Sequence, residues 1–305
     1  FSILNYLRGM PVLQINQLNK RYGRIHAVNN LNLQIEAGSI YGILGPNGSG
    51  KTTTLGMILG ITNPDSGSFQ WFEGKYGAHA RKHVGALLET PNFYPYLNSI
   101  DNLEIVAHIK KAPKSQIPEI LEQVNLSDRK FSAFKTYSLG MKQRLAIAAS
   151  MIGSPEVLIF DEPTNGLDPQ GIAEIRGIIL NIAESGKTIF MASHILDEVE
   201  KVCSHVAIIK KGKLLAAGPV GSIINSDITL EVSCDQNDLL RTLLEKLPAF
   251  RDVEKKGNLL LAQMAADTSS TTINQLAFDN GLVLGHLALR QKRLEEEFLE
   301  ITRNK

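Results

Sequence analysis

The segment Gly45-Pro46-Asn47-Gly48-Ser49-Gly50-Lys51-Thr52 carries the strongest chemical signal in this chain. It matches G-x-x-x-x-G-K-[ST], a pattern in which each residue type answers a need of phosphate binding. Glycines let backbone N–H groups converge on phosphate oxygens without a Cβ in the way. A helix starting at the end of the loop points its positive N-terminus at the same anion. Lys51 can reach β- and γ-phosphates, and the Thr52 hydroxyl can bind Mg2+. A complement lies downstream in Val157-Leu158-Ile159-Phe160-Asp161-Glu162, an apolar run ending in two carboxylates. A buried strand fixes its own end, so Asp161 can hold Mg2+ through water while Glu162, one residue on, polarises an attacking water. Alone, the second segment reads as a strand ending in a solvated acidic turn. Together the two describe a site for hydrolysing a Mg2+-bound nucleoside triphosphate.

Such a site needs strands and helices in alternation to position it, and the chain supplies them from Val12 onward. Gly38 to Gly45 reads as a buried strand ending in glycine, and Thr52 to Gly60 as the helix that follows. Glu156 to Phe160 and Thr188 to Ala192 are further short apolar runs of buried-strand type. Between them a mostly helical stretch, Ser99 to Met151, is read as broken by Pro113 and Pro118. This alternation implies a largely parallel, covered sheet carrying a helical insert. Gly218-Pro219 closes a first body over 11–219, with the helical part about 95–155.

A second unit, 226–305, follows. Ile228 to Val232 can form a strand, and Leu239, Leu240, Leu243, Leu244 and Leu247 form an apolar helical stripe. Arg251 to Glu254 and Leu259 to Met264 flank a Gly257-Asn258 hairpin turn. Thr271 to Phe278 reads as helix and Leu282 to Leu289 as strand. The order β-α-β-β-α-β is that of a small ferredoxin-like α+β domain. A final helix carries Leu294, Phe298 and Ile301 on one face, beside the acidic run Glu295 to Glu297.

Bulk composition narrows the function class. Lys plus Arg is 32 against Asp plus Glu 31, so no global field attracts nucleic acid or anionic membrane. No nucleic-acid partner is expected. Hydrophobic residues at 43% are those of an ordinary globular chain. No stretch approaches the about 18 apolar residues of a membrane span. Cys203 and Cys234 have no metal-like spacing and read as reduced structural thiols. Phe1 to Gly9 lack the layout of a signal peptide, and Met10 is the expected natural start, with those residues an extension ahead of it.

The order of further motifs resembles one family, the ATP-binding cassette (ABC) ATPases. Tyr137-Ser138-Leu139-Gly140-Met141-Lys142-Gln143-Arg144 is similar to their L-S-G-G-Q signature. Asn165-Gly166-Leu167-Asp168 resembles their D-loop, Ser193-His194 their switch histidine, and Tyr22 the aromatic that stacks on adenine. The resemblance covers Val12 to Pro219. It implies a P-loop NTPase of ABC type, with a mostly parallel α/β core, an antiparallel β subdomain and a helical subdomain. It implies ATP and Mg2+ as cofactors, with Gly45, Pro46, Asn47, Gly48, Ser49, Gly50, Lys51, Thr52 and Thr53 around the phosphates. Thr52, Asp161 and Glu89 would serve the metal, and Glu162 and His194 the catalysis. The family works as head-to-tail dimers, a homodimer or a pair with a related ATPase. Ser138, Leu139, Gly140 and Met141 would then face the nucleotide of the other subunit, with Asp168 coupling the two sites. The partner would be a polytopic permease, holding this chain on the cytoplasmic face of the cell membrane.

Two departures sharpen the resemblance. The signature has Leu139 where the family has glycine, and Met141 where it has glutamine. Glu89, in Gly85-Ala86-Leu87-Leu88-Glu89-Thr90-Pro91, stands where the family has the Q-loop glutamine and offers Mg2+ a carboxylate instead of a neutral carbonyl. Glu89 with Pro91 and Tyr94-Pro95 resembles the ATPases of exporters conferring immunity to bacitracin, lantibiotics and similar peptides. The ending Leu294 to Glu300 resembles drug- and peptide-exporter ATPases. The coupling surface is expected around Glu89 to Tyr96, where Phe93, Tyr94 and Tyr96 cluster. The alternatives are a soluble ABC ATPase acting on ribosomes or DNA, and a non-hydrolysing regulator. The single cassette argues against the first, and Glu162 with His194 against the second.

Overall fold

A computed structural model describes residues 11–88, 91–224, 228–264, 269–291 and 293–303. Phe1 to Met10 and Glu89, both subjects of expectations above, lie outside these residues. The chain divides into two compact units, Phe1–Val220 and Gly221–Lys305.

In the first unit β1 (Pro11–Tyr22) and β2 (Ile25–Glu36) form a long hairpin. Its apolar residues meet across the ladder, Leu13 opposite Ile35, Ile15 opposite Leu33 and Leu18 opposite Leu31. Register shifts interrupt the pairing beyond Ile15, the mark of bulges that bend and twist a ribbon. β3 (Ile40–Leu44) is buried at all five residues and feeds the phosphate loop and helix α1 (Lys51–Ile58). β4 (Ser66–Trp71) returns to the hairpin and completes a three-stranded antiparallel sheet in the order β2-β1-β4.

After β5 (Val84–Leu87) comes the helical insert, α2 (Ser99–Lys110), α3 (Ile117–Gln123) and α4 (Leu139–Met151). Pro118 does not break this insert as the sequence led us to expect. It occupies the first turn of α3, where the missing N–H has no intrahelical acceptor to lose and the fixed φ suits the helix. The chain then lays down β6 (Val157–Asp161), α5 (Pro169–Glu184), β7 (Thr188–Ser193), α6 (Leu196–Val202), β8 (His205–Lys210) and β9 (Lys213–Pro219). The six-stranded sheet has the order β5-β6-β7-β3-β8-β9. It is parallel except for the β8/β9 pair. β3, β6 and β7 are buried throughout, which is why they read as unbroken apolar runs and not as alternation. One hydrophobic cluster, including Leu13, Leu31, Ile43, Met57, Ile159 and Phe190, joins the antiparallel sheet to the parallel one.

The second unit contains β10 (Ile228–Cys234), α7 (Asn237–Glu245), β11 (Phe250–Lys256), β12 (Leu259–Met264), α8 (Ser270–Asp279), β13 (Leu284–Gln291) and α9 (Leu294–Arg303). Its antiparallel sheet has the order β11-β12-β10-β13, that of the expected ferredoxin-like arrangement. Leu240 and Leu244 of α7 and Ile273 and Ala277 of α8 pack with Leu230, Val232, Leu260 and Ala262 in its core. Leu239, which the helical stripe included, is 44% exposed, because the stripe is wider than the face the sheet covers.

Candidate functional site

The phosphate loop hangs between the end of β3 and the start of α1. Pro46, Asn47 and Gly48 are exposed at its tip, whereas Ser49 and Gly50 are buried at its base. Gly50 has φ 108° and lies against the hairpin, where an added Cβ would sit 2.2 Å from the Ala27 carbonyl oxygen. Neither the angle nor the space admits a side chain. Gly50 also accepts hydrogen bonds from the Thr54 backbone N–H and hydroxyl, both at 2.9 Å, which ties the loop to α1. The Ser49 hydroxyl is buried without a hydrogen-bond partner, an orphan that a ligand in the loop would satisfy.

Lys51 is 6% exposed, and its ammonium donates to the Gly45 carbonyl at 2.7 Å. The same nitrogen stands 3.5 Å from Glu162 Oε1. Next to it the Thr52 hydroxyl donates to Asp161 Oδ2 at 2.8 Å, bringing helix α1 and strand β6 together across 109 residues of sequence. A hydroxyl and a carboxylate oxygen side by side are hard oxygen donors of the kind Mg2+ takes when phosphates and water complete its shell. Thr53, partly buried, follows on α1. The loop and its neighbours therefore fit a nucleoside triphosphate with Mg2+.

Glu162 is the hinge of the cluster. It has φ 51°, a left-handed conformation that non-glycine residues adopt sparingly and that marks sites where the surrounding structure holds a residue in place. Its backbone N–H donates to the Ala192 carbonyl at 3.0 Å, anchoring it to the neighbouring strand β7. Its other carboxylate oxygen, Oε2, pairs with His194 Nδ1 at 2.8 Å and accepts the His194 backbone N–H at 3.3 Å. One carboxylate thus bridges the loop lysine and the histidine just beyond β7.

Other expected site residues have local partners of their own. Ser138 caps α4, its hydroxyl accepting the Met141 N–H at 3.3 Å and keeping its own proton to donate. Leu139 and Gly140 lie beside the 166–167 turn, where a Cβ on Gly166 would stand 3.2 Å from Leu139 Cδ2 and one on Gly140 3.9 Å from Leu167 Cδ2. Asp168 caps α5 by accepting the Gly171 N–H at 2.8 Å, a structural duty the motif did not reveal. Tyr22 ends β1, inside the hairpin. It is 51% exposed, with the Lys20 ammonium 5.6 Å from its ring. The pull of Asp65 on Lys20, at 2.9 Å, holds that region together, and nothing in the spacing pointed to it. Beyond Pro91, Tyr94 and Tyr96 are 61% and 79% exposed. Phe93 packs on Phe134 with ring centroids 5.3 Å apart. Cys203 is buried, and burial pushes its thiol pKa far up, as expected of an inert structural cysteine.

Known proteins resemble this chain in sequence and fold. The family profile described as ABC transporter matches residues 28–165. The chain is 42% identical over 298 residues to the bacitracin transport ATP-binding protein BcrA of Enterococcus faecalis, covering 95% of this chain and 96% of that protein. It is 41% identical over 205 residues to the lantibiotic transport ATP-binding protein SrtF of Streptococcus pyogenes, covering 67% of this chain and 89% of that one. Among solved structures, cbiO1 from Clostridium perfringens, described as part of the ABC transporter complex cbiONQ, superposes with a TM-score of 0.64 at 27% identity. That likeness covers 78% of this chain and 96% of the other. Among the described residues no helix is long and apolar enough to cross a membrane. With a relative this similar along nearly its whole length, the chain belongs to the ATP-binding proteins of the ABC transporter family.

Proposed function

We propose that this chain hydrolyses ATP to drive a separate polytopic permease that exports an antimicrobial peptide or drug. The observation that carries the reading is the Glu162 carboxylate, held in a left-handed turn between Lys51 and His194. In this reading the loop N–H groups and Lys51 bind the phosphates, and Lys51 exchanges the Gly45 carbonyl for phosphate oxygen. Thr52 and Asp161 would hold the Mg2+ that comes with the nucleotide, and the ion would supply charge neutralisation at the phosphates. Glu162 takes the proton from the attacking water, and His194 keeps its carboxylate in line. Tyr22 offers an exposed ring on which the adenine stacks.

The signature residues Ser138 and Gly140 then serve the nucleotide of a second subunit in a head-to-tail dimer, with Asp168 and Met141 at the same interface. Exposed Tyr94 and Tyr96, after Glu89, form the surface that meets the permease on the cytoplasmic side of the membrane. Relatives named for bacitracin and lantibiotic transport support the substrate class.

The test is a pull-down of tagged Glu162→Gln protein with Mg-ATP from gently solubilised native membranes. Recovery of a polytopic membrane protein is expected. Recovery of ribosomes or DNA-bound proteins, without a membrane partner, overturns the export reading.

A further inference from the structure

Leu139 supplies a side chain at the start of α4, where the resemblance leads one to expect none. Its Cδ2 lies over Gly166, so near that a Cβ built there would meet it at 3.2 Å. Gly166 has φ 76°, a left-handed conformation that favours glycine, and Leu139 leaves only tight room for a Cβ there. The contact repeats one residue along in each segment, with Leu167 Cδ2 at 3.9 Å from where a Cβ on Gly140 would stand. A leucine from each segment thus covers a glycine of the other. Further along the same two helices, Arg144 Nη1 reaches to 3.7 Å from Glu174 Oε2.

The segment that Leu139 touches is itself hung from Glu162. The Asn165 N–H donates to the Glu162 carbonyl at 3.1 Å, and the Leu167 N–H to the Thr164 carbonyl at 3.3 Å. A continuous set of contacts therefore runs from the Ser138 end of α4, through Leu139, Gly166 and Leu167, to the backbone of Glu162. Leu139 remains 44% exposed, so it is no core residue placed there for burial alone.

We propose that Leu139 is a positioning residue, clamping the start of α4 to the 165–167 turn so that nucleotide capture at Ser138 sets the Glu162 carboxylate of the same chain. The proposal rests on the dimeric ATPase reading given above. A glycine at this position would leave the two segments free to move separately. With leucine they shift as one.

The experiment measures steady-state ATP hydrolysis by the full chain across ATP concentrations, with thermal denaturation run in parallel. Leu139→Ala is expected to lower kcat by about 3- to 10-fold and to bring the Hill coefficient toward one, leaving KM within about 2-fold. Leu139→Met, which keeps the reach, recovers most of the rate. Gly166→Ala also slows turnover, and the double variant loses less than the product of the two single losses, because removing Leu139 relieves the clash. A kcat unchanged by Leu139→Ala overturns the proposal. So does a loss confined to KM, or one that tracks a fall in Tm and is shared equally by the methionine variant. Ser138→Ala separates the proposal from the reading beneath it. If Ser138→Ala cripples turnover while Leu139→Ala does not, only the clamp is wrong. If Ser138→Ala hydrolyses ATP like the wild type, the signature reading fails and the clamp falls with it.

Discussion

At the ends of buried strands in the first unit, polar groups from distant parts of the chain are drawn together. Lys51 and Asp161 are 6% and 5% exposed, and a carboxylate in a left-handed turn ties lysine to histidine. The second unit arranges its charges differently. Glu231, half-buried, pairs with the exposed Arg290 at 3.5 Å, and the exposed pairs Arg290 with Glu296 and Arg241 with Glu245 stand at 3.4 and 2.7 Å. Apolar side chains from Leu230 to Leu282 cluster in its core, and Asn237 is buried as well, donating to the Asn258 carbonyl at 3.0 Å. Buried polar convergence is costly and persists where chemistry uses it, whereas exposed ion pairs cost and contribute little. The contrast sets a unit that gathers polar groups at its strand ends against one whose ion pairs lie nearer the solvent.

Substitutions in the two units should therefore fail in different ways. Lys51→Ala should have the largest effect, weakening ATP binding by about 100-fold or more and abolishing useful turnover. Nucleotide affinity equal to wild type would remove the phosphate-loop assignment. Leu230→Ala empties part of the second core and should lower that unit's stability by about 2–5 kcal/mol in chemical denaturation. ATP affinity of the first unit should hold under native conditions, and a matching loss of ATP binding would erase the contrast. Arg290→Ala should be the mildest, within about 1 kcal/mol of wild type, since its pairs are solvent-screened. A larger cost would mean that the outer face of the second unit has work the geometry does not display.

Legibility in the sequence follows the same division. Residues proposed to bind phosphate stand out because that chemistry dictates both type and spacing, so Gly45 to Thr52 could be read alone and Asp161-Glu162 only beside it. The β-α-β-β-α-β order of the second unit was legible for another reason, since periodicity and the Gly257-Asn258 turn encode local structure. What escaped depends on three-dimensional proximity. The Glu162–His194 pair joins residues brought side by side only by the adjacency of β6 and β7. Packing of Leu139 on Gly166 required knowing that the starts of α4 and α5 meet. Pro118 was misread because a proline breaks a helix interior but suits its first turn, and a helix start is harder to see than a helix.

The most direct test of the central claim compares wild-type and Glu162→Gln proteins for ATP binding and for single-turnover hydrolysis. Glutamine keeps the shape of the side chain and loses the basic oxygen. The expected result is ATP affinity within about 3-fold of wild type, with hydrolysis slowed by about 100-fold or more. Hydrolysis at the wild-type rate would show that the carboxylate between Lys51 and His194 is not the base.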